Sequence, residues 1–168
     1  MQRHVVDGIN FDFPDDWHVG KYDDWSFYCN RFCRMWNGIK SLDLLAIGPE
    51  KVAWLIEVKD YRVHKRTKAI DIADEVARKV FDTLAALLPA KVNADDTTEK
   101  MVACEIISAS KLRVVLHLEQ PAKHSKLRPR AINPADVKQK LRSLLKPIDA
   151  HPIVSEINRM GKLAWTVS

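Results

Sequence analysis

Several features are scarce or missing in this chain of 168 residues, and each absence narrows what the chain can be. It has three cysteines, an odd number that is too small for a disulfide framework. It has five glycines and neither glycine-rich phosphate-binding pattern, G-x-x-x-x-G-K or G-x-G-x-x-G, which argues against nucleotide-driven motors and dinucleotide enzymes. The hydrolase and metalloprotease signatures G-x-S-x-G and H-E-x-x-H are missing too, as are helix-turn-helix and zinc-finger signatures.

Long hydrophobic runs are also missing. No segment approaches the ~20 apolar residues that span a bilayer, and the segment Met1–His4 lacks the apolar run of a signal peptide. We therefore expect no membrane partner and a cytoplasmic location. The composition, with 46% hydrophobic and 29% charged residues, is typical of a soluble globular protein, and the length predicts a single domain over residues 1–168.

The central feature of the sequence is the segment 39–62, which predicts two apolar strands. The first strand is expected over Lys40–Ile47 and the second over Val52–Lys59, with the tight turn Gly48–Lys51 between them. Both runs are rich in Leu, Ile, Val and Trp, so we expect them in the interior of a sheet.

Three ionisable side chains interrupt these apolar strands. Glu57 and Lys59 share one face of their strand, roughly 6–7 Å apart, and Asp43 on the hairpin partner can lie about 5 Å from that face. Such groups are costly in an apolar sheet unless they pair or hold a metal. Two carboxylates beside an ammonium favour a Mg²⁺ site, where the lysine could orient or deprotonate an attacking water. The alternative is a cross-strand ion pair on a solvated face, against which the apolar run Trp54–Ile56 argues.

The pattern Asp43-x13-Glu57-x-Lys59 resembles the PD-(D/E)XK nuclease superfamily, which has the restriction-endonuclease-like fold. The resemblance implies that Asp43 and Glu57 bind Mg²⁺ or Mn²⁺ and that Lys59 is the catalytic lysine. Leu42 stands where the family's name has a proline. The acidic residue that the family often places on its first helix has three possible counterparts here, Asp23, Asp24 and Asn30.

The remaining pattern predicts further strands and helices around this pair. They are an N-terminal hairpin at Asp7-Gly8, helices over about 24–37, 67–88, 98–108, 134–145 and 152–160, and strands over 112–119 and 163–167. The predicted fold class is α/β (mixed α+β), with a central mixed β-sheet flanked by helices. The restriction-endonuclease-like core would cover residues 23–120, after a hairpin and loop over 1–22 and before a C-terminal elaboration of helices and a strand over 121–168.

The net charge of +5 is concentrated in two short runs. Lys59–Lys68 has five basic residues and one acidic residue, Pro121–Arg130 has four basic residues and no acidic one, and the rest of the chain is net acidic. Clustered basic charge suits contact with a phosphate backbone, although each run could equally be a solvated loop. The candidate nucleic-acid-binding residues are Arg62, Lys65, Arg66, Lys68, Lys123, Lys126, Arg128 and Arg130.

Three functional hypotheses follow from these observations. The first is a Mg²⁺-dependent nuclease that hydrolyses DNA phosphodiester bonds, with RNA as a possible substrate, acting as a homodimer or within a larger complex. The second is a catalytically inactive nucleic-acid-binding or assembly subunit on the same fold. The third and weakest is a small-molecule or RNA-processing enzyme.

Overall fold

The computed structural model describes residues 1–127 and 130–168. Two short 3₁₀ turns, Tyr22–Asp24 and Phe32–Arg34, flank the first α-helix. The α-helices and strands follow in chain order as β1 (Gln2–Val6), β2 (Ile9–Phe13), β3 (His18–Lys21), α1 (Ser26–Asn30), β4 (Leu44–Ile47), β5 (Val52–Asp60), α2 (Ile72–Asn93), α3 (Thr97–Ile107), β6 (Lys111–Glu119), α4 (Pro134–Leu145), β7 (Ile153–Ser155) and β8 (Thr166–Val167).

The larger sheet is mixed and has the strand order β3-β4-β5-β6-β7. The pairs β3–β4 and β4–β5 are antiparallel, whereas β5–β6 and β6–β7 are parallel. Strands β1, β2 and β8 form a second, antiparallel sheet. The predicted mixed α/β class is therefore confirmed, whereas this strand order alone does not establish the restriction-endonuclease-like arrangement.

Alternation along β5 divides the core into two layers. Leu55 packs with the helical residues Val76, Val80 and Leu141 on one face of the larger sheet. Ile56, the next residue, packs with the aromatic side chains of the second sheet on the other face. Because successive side chains point to opposite faces, Glu57 points towards the helices, two positions after Leu55. This alternation places a carboxylate between the sheet and α2.

Helix α2 is the longest helix, and it extends past its predicted end. Asp71 caps its first turn by accepting a hydrogen bond from the Ala73 N–H, and the helix continues through Pro89 to Asn93. The sequence-based expectation that the helix stops before Pro89 is wrong because the buried residues Ala86, Leu87 and Ala90 hold both sides of the proline against the core. Neither α2 nor another helix in the described part of the chain has the length and hydrophobicity needed to cross a membrane.

The predicted helix over 24–37 is broken into short pieces, of which α1 is only five residues long. The buried carboxylate of Glu99 on α3 accepts hydrogen bonds from the Ser26 N–H (2.6 Å), the Ser26 hydroxyl (3.0 Å) and the Phe27 N–H (3.1 Å). It therefore fixes the start of α1 at Ser26, two residues after the predicted start. The aromatic spacing that suggests one long helix instead serves packing from two separate turns.

Other boundaries also differ from the sequence-based expectation: α2 begins at Ile72 instead of 67, and β8 begins at Thr166 instead of 163. The helix predicted over 152–160 is replaced by β7, which pairs with β6 in parallel at Val115–His117. The first of the two central strands begins at Leu44 instead of Lys40, so Asp43 lies immediately before it. The second central strand, α4 and β6 agree with their predicted bounds to within one residue at each end. The N-terminal hairpin turns at Asp7-Gly8, as predicted.

Candidate charged site at one edge of the sheet

Pairing of β4 with β5 brings Asp43 opposite Glu57, as the sequence predicts. The Asp43 N–H donates to the Ile56 carbonyl (3.2 Å), and the Val58 N–H donates to Asp43 Oδ2 (2.6 Å). The carboxylate of Asp43 is therefore tied to the backbone of the neighbouring strand. Its pKa lies above the usual range, chiefly because burial disfavours its charged form.

Glu57 is fully buried, and two ammonium groups bind it. The Nζ atoms of Lys59 and Lys79 each lie 2.5 Å from Glu57 Oε1. Lys59 comes from the same face of β5, and Lys79 comes from α2, which crosses that face. The second carboxylate oxygen, Oε2, is buried and has no hydrogen-bond partner among the described residues. One Glu57 oxygen thus holds two cations while the other remains unpaired.

A second buried carboxylate, Glu75 of α2, extends this network towards the basic loop. Its oxygens lie 2.7 Å from Arg66 Nη2, 2.5 Å from Lys68 Nζ and 3.8 Å from Lys59 Nζ. We call Asp43, Glu57, Lys59, Glu75 and Lys79 the charge cluster. It connects the core of the sheet to the loop that follows β5.

The pKa values of the cluster follow from burial and from its cations. Burial, reinforced by the negative charge of Asp43, raises the pKa of Glu57 to about 7 against the opposing effect of both lysines. Burial alone would lower the pKa of Lys59, but its contact with Glu57 raises it above its ordinary value. Burial would likewise raise the pKa of Glu75, but hydrogen bonds from Lys68 and Arg66 lower it to about 2. Lys59 is therefore a permanent cation and Glu75 a permanent anion near neutral pH.

Asp23, one of the three candidates for the additional acidic residue, interacts electrostatically with the cluster. Burial, followed by the negative charge of Asp43, raises its pKa to about 6. Its Oδ1 atom is buried without a hydrogen-bond partner in the described part of the chain. Among Asp23, Asp24 and Asn30, Asp23 is thus the one whose pKa is raised by the charge of Asp43.

Lys79 and Glu75 belong to the charge cluster but are not among the residues predicted from the sequence. Both lie on the buried side of α2, four residues apart, beside Val76 and Val80. A Glu and a Lys at this spacing on the apolar face of a helix are the signal that could have identified them, because charged residues there need partners from another element.

The two basic runs leave the sheet at the same edge. Strands β5 and β6 are parallel neighbours that end at Asp60 and Glu119, and the Tyr61 N–H donates to the Glu119 carbonyl (2.8 Å). The loops over 61–71 and 120–133 therefore begin side by side. A cavity of about 410 Å³ separates them, lined by Arg66, Lys68, Asp71, Asn133, Asp136 and Lys140 together with apolar residues. Crevices at the carboxyl ends of parallel strands are common ligand sites.

The structure divides the predicted nucleic-acid-binding residues into two groups. Four of them are held in ion pairs: Arg62 with Asp60, Arg66 and Lys68 with Glu75, and Arg130 with Glu156. Lys65, Lys123 and Lys126 are exposed, and no ion pair links them to the described residues. Arg128 lies outside the described residues. We call Lys65, Lys123 and Lys126 the edge lysines.

The predicted Mg²⁺ site at Asp43 and Glu57 stays a prediction. No group of three or more His, Cys, Asp or Glu side chains in the described ranges has an arrangement that could hold a metal ion. Glu57 Oε2 and Asp23 Oδ1 are nevertheless buried acceptors without partners, and carboxylate oxygen is the donor type that Mg²⁺ prefers.

Comparison with known proteins gives one informative similarity. The chain is 31% identical, over 201 aligned positions, to a protein named cysteine–tRNA ligase from Neisseria meningitidis serogroup A / serotype 4A. The alignment covers 95% of this chain but 29% of the ligase, so the chain spans less than a third of the length of that relative. No family model matches the chain, and no solved structure matches it.

This similarity contradicts the functional predictions made from the short motif. The relative is named as a tRNA ligase and not as a nuclease, so the assignment to the PD-(D/E)XK nuclease superfamily and the predicted DNA-hydrolysing activity are wrong. The alternative of an inactive subunit on that fold has no support either. The physical reason is that Asp43, Glu57 and Lys59 are three residues in a network of at least five, and a buried ion-pair network accounts for their spacing without hydrolysis.

Proposed function

We propose that this chain is an RNA-binding module related to part of a tRNA ligase, and that it contacts the RNA backbone through the edge lysines. The observation that carries the proposal is the similarity to a cysteine–tRNA ligase along 95% of the chain. The whole ligase acts on a tRNA by its name, and this chain corresponds to 29% of it. The proposal therefore concerns binding and leaves aminoacylation to other parts of such a protein.

The placement of charge at the sheet edge supports this role. Lys65 lies on the loop after β5, and Lys123 and Lys126 lie on the loop after β6, so cations from two distant parts of the sequence share one edge. Exposed lysines outside ion pairs are free to replace the counterions of a phosphate backbone, which favours binding without reading bases. DNA as the partner has no support from the comparisons.

The charge cluster has a positioning role in this proposal. Glu75 binds both Arg66 and Lys68, which belong to the loop that carries Lys65. Glu57 anchors Lys79 and Lys59 at the base of the same loop. A loop held at several points loses less conformational freedom on binding, which favours affinity. The cluster thus fixes the loop and leaves the edge lysines for RNA.

We further propose that Asp43 and Glu57 bind Mg²⁺ at this edge. The unpaired oxygen of Glu57 supports this, and a divalent cation would stabilise the negative charge of Asp43 that helps to raise the pKa of Glu57. Such an ion would supply positive charge beside the RNA backbone.

The binding proposal is tested by filter binding with an unmodified tRNA transcript. We expect a Lys65→Ala/Lys123→Ala/Lys126→Ala variant to bind at least about tenfold more weakly, and its salt slope to fall by about one for each lysine that binds a phosphate in the wild type. The matched control is Lys111→Ala, an exposed lysine at the opposite end of β6, which should bind as the wild type does. Equal affinity of the triple variant and the control would contradict the proposal.

A further inference from the structure

An exposed apolar stripe runs along the C-terminal half of α2, away from the loops at the sheet edge. Phe81, Leu88 and Val92 are 48%, 61% and 61% exposed, and Ala85 between them is exposed as well. Their spacing of four, three and four residues places them on one face of the helix. We call these four residues the α2 stripe. The opposite face of α2 is buried against the sheet, so the helix is apolar on both sides over this length.

A groove adjoins the α2 stripe and widens the apolar surface. It has a volume of about 530 Å³ and is lined by Phe27, Arg31, Phe32, Met35, Pro89 and Asn93. Pro89 and Asn93, which line the groove, directly follow Leu88 and Val92 and lie about 100° further around α2, so the groove lies beside the stripe. The exposed apolar stripe and the groove beside it together form a surface that can receive a helix.

Trp36 follows Met35, one of the residues that line this groove. Its side chain is 90% exposed, and its backbone has a φ of 47°, in the left-handed region that bulky residues rarely adopt. Met35, beside it, lines the groove and is 53% exposed. An exposed tryptophan on a strained backbone is costly in water, and contact with a partner would offset that cost.

The rim of this surface is predominantly basic. Arg31 lines the groove, Arg34 precedes Met35, and Arg78 and Lys91 lie on α2 near the two ends of the stripe. Asp82 and Asp95 pair with Arg78 and Arg31 and neutralise their charges, so the net positive charge of the rim comes from Arg34 and Lys91. The rim therefore complements negative charge, and the aliphatic character of Leu88, Val92 and Met35 suits apolar side chains better than nucleic-acid bases.

We infer that the α2 stripe and its groove form a docking surface for an amphipathic helix of a partner protein, with apolar residues on one face and acidic residues at the flanks. The stripe is about 17 Å long at the rise of an α-helix, which matches three turns of a docked helix. This inference goes beyond the proposed RNA contact because it uses a different surface and a different class of partner.

The test uses a labelled synthetic helix of about 20 residues, with Leu at i, i+3, i+4 and i+7 positions and Glu at the flanks, in a fluorescence anisotropy titration of the full chain. We expect saturable binding that weakens at least about tenfold in a Leu88→Ser/Val92→Ser variant. The control is Val5→Ser, an exposed apolar residue on β1, in the sheet on the other side of the molecule. It should leave the affinity unchanged. Because all three side chains are exposed, the variants should fold like the wild type.

Three outcomes would overturn the inference. The first is failure of the acidic-flanked helix to bind, or equal binding of a version with Lys at the flanks. The second is a wild-type dimer in sedimentation that the Leu88→Ser/Val92→Ser variant does not form, which would make a second copy the occupant. The third is binding of a single-stranded oligouridine that the same variant abolishes, which would make the surface an RNA contact.

Discussion

Single side chains of the charge cluster show how burial and charge compete at the sheet edge. Glu57 is surrounded by apolar residues of the sheet and helices, yet two lysines reach the same oxygen. The pKa of Glu57 is still raised to about 7, because the loss of water outweighs both cations. A carboxylate that is half protonated near neutral pH makes the stability of this edge sensitive to pH and to metal ions.

The stability of the protein should therefore depend on pH through Glu57. Its ordinary pKa is 4.5 and its folded pKa is about 7, so the protonated form is favoured by folding. The stabilisation from this proton is complete below the ordinary pKa and is lost as the pH rises through about 7. The free energy of unfolding of the wild type should fall relative to Glu57→Gln over this range, by up to about 3 kcal/mol for a shift of this size. Urea unfolding from about pH 4.5 to pH 8 measures the difference; a constant difference between the two proteins would contradict the assignment.

The proposed Mg²⁺ site makes a second prediction for these side chains. Mg²⁺ that binds the folded state raises the melting temperature with its concentration. We expect such a rise in the wild type and its loss in Asp43→Asn and Glu57→Gln. Asp16→Asn changes an exposed acid outside the cluster and should keep the rise. A rise of the same size in all four proteins would show that the ion acts elsewhere.

Among the elements, the long strands and helices were predictable in kind, whereas the short pieces and the two ends of α2 were not. β5 and α4 have strong apolar patterns and clear end signals, and both match their predicted bounds closely. β7 has only three residues and exists because β6 offers it a parallel partner, which local sequence does not show. The start of α1 depends on the side chain of Glu99, more than seventy residues away along the chain. Contacts between distant residues decided these cases.

The same reasoning applies to the candidate site. The pairing of Asp43 with Glu57 and the shared face of Glu57 and Lys59 follow from strand alternation, so the sequence predicts them. The part played by Lys79 and Glu75 depends on how α2 crosses the sheet, which periodicity alone does not specify. Without Lys79 and Glu75, the motif suggested a hydrolytic site. With them, the same residues form a network of buried ion pairs.

Helix α2 gives a prediction of its own at Pro89. A proline inside a helix removes one backbone hydrogen bond and crowds the carbonyl four residues earlier, that of Ala85. Pro89→Ala should restore that bond and raise the free energy of unfolding by about 1–2 kcal/mol, after the greater freedom of the unfolded chain offsets part of the gain. Urea unfolding beside Ala85→Ser, a change on the exposed side of the same turn, measures the effect. A destabilised Pro89→Ala variant would mean that the ring contributes more through packing in the groove than it costs the helix.

In the molecule as a whole, charge and apolar surface lie in different places. The edge lysines stand at the carboxyl ends of β5 and β6, whereas the α2 stripe lies on the outer face of the helical layer. A module with a cationic edge and a separate apolar face can hold RNA and a protein partner together. This arrangement agrees with a chain whose relative is a much longer tRNA ligase.

The measurement that tests the central claim most directly is competition binding to a labelled tRNA, with unlabelled tRNA and duplex DNA of equal phosphate count as competitors. The account predicts that tRNA displaces the label at least about tenfold more effectively than duplex DNA, and that affinity falls linearly with the logarithm of salt concentration. Equal displacement by DNA would mean that the basic surface attracts any nucleic acid non-specifically. Failure to bind tRNA at low salt would contradict the account altogether.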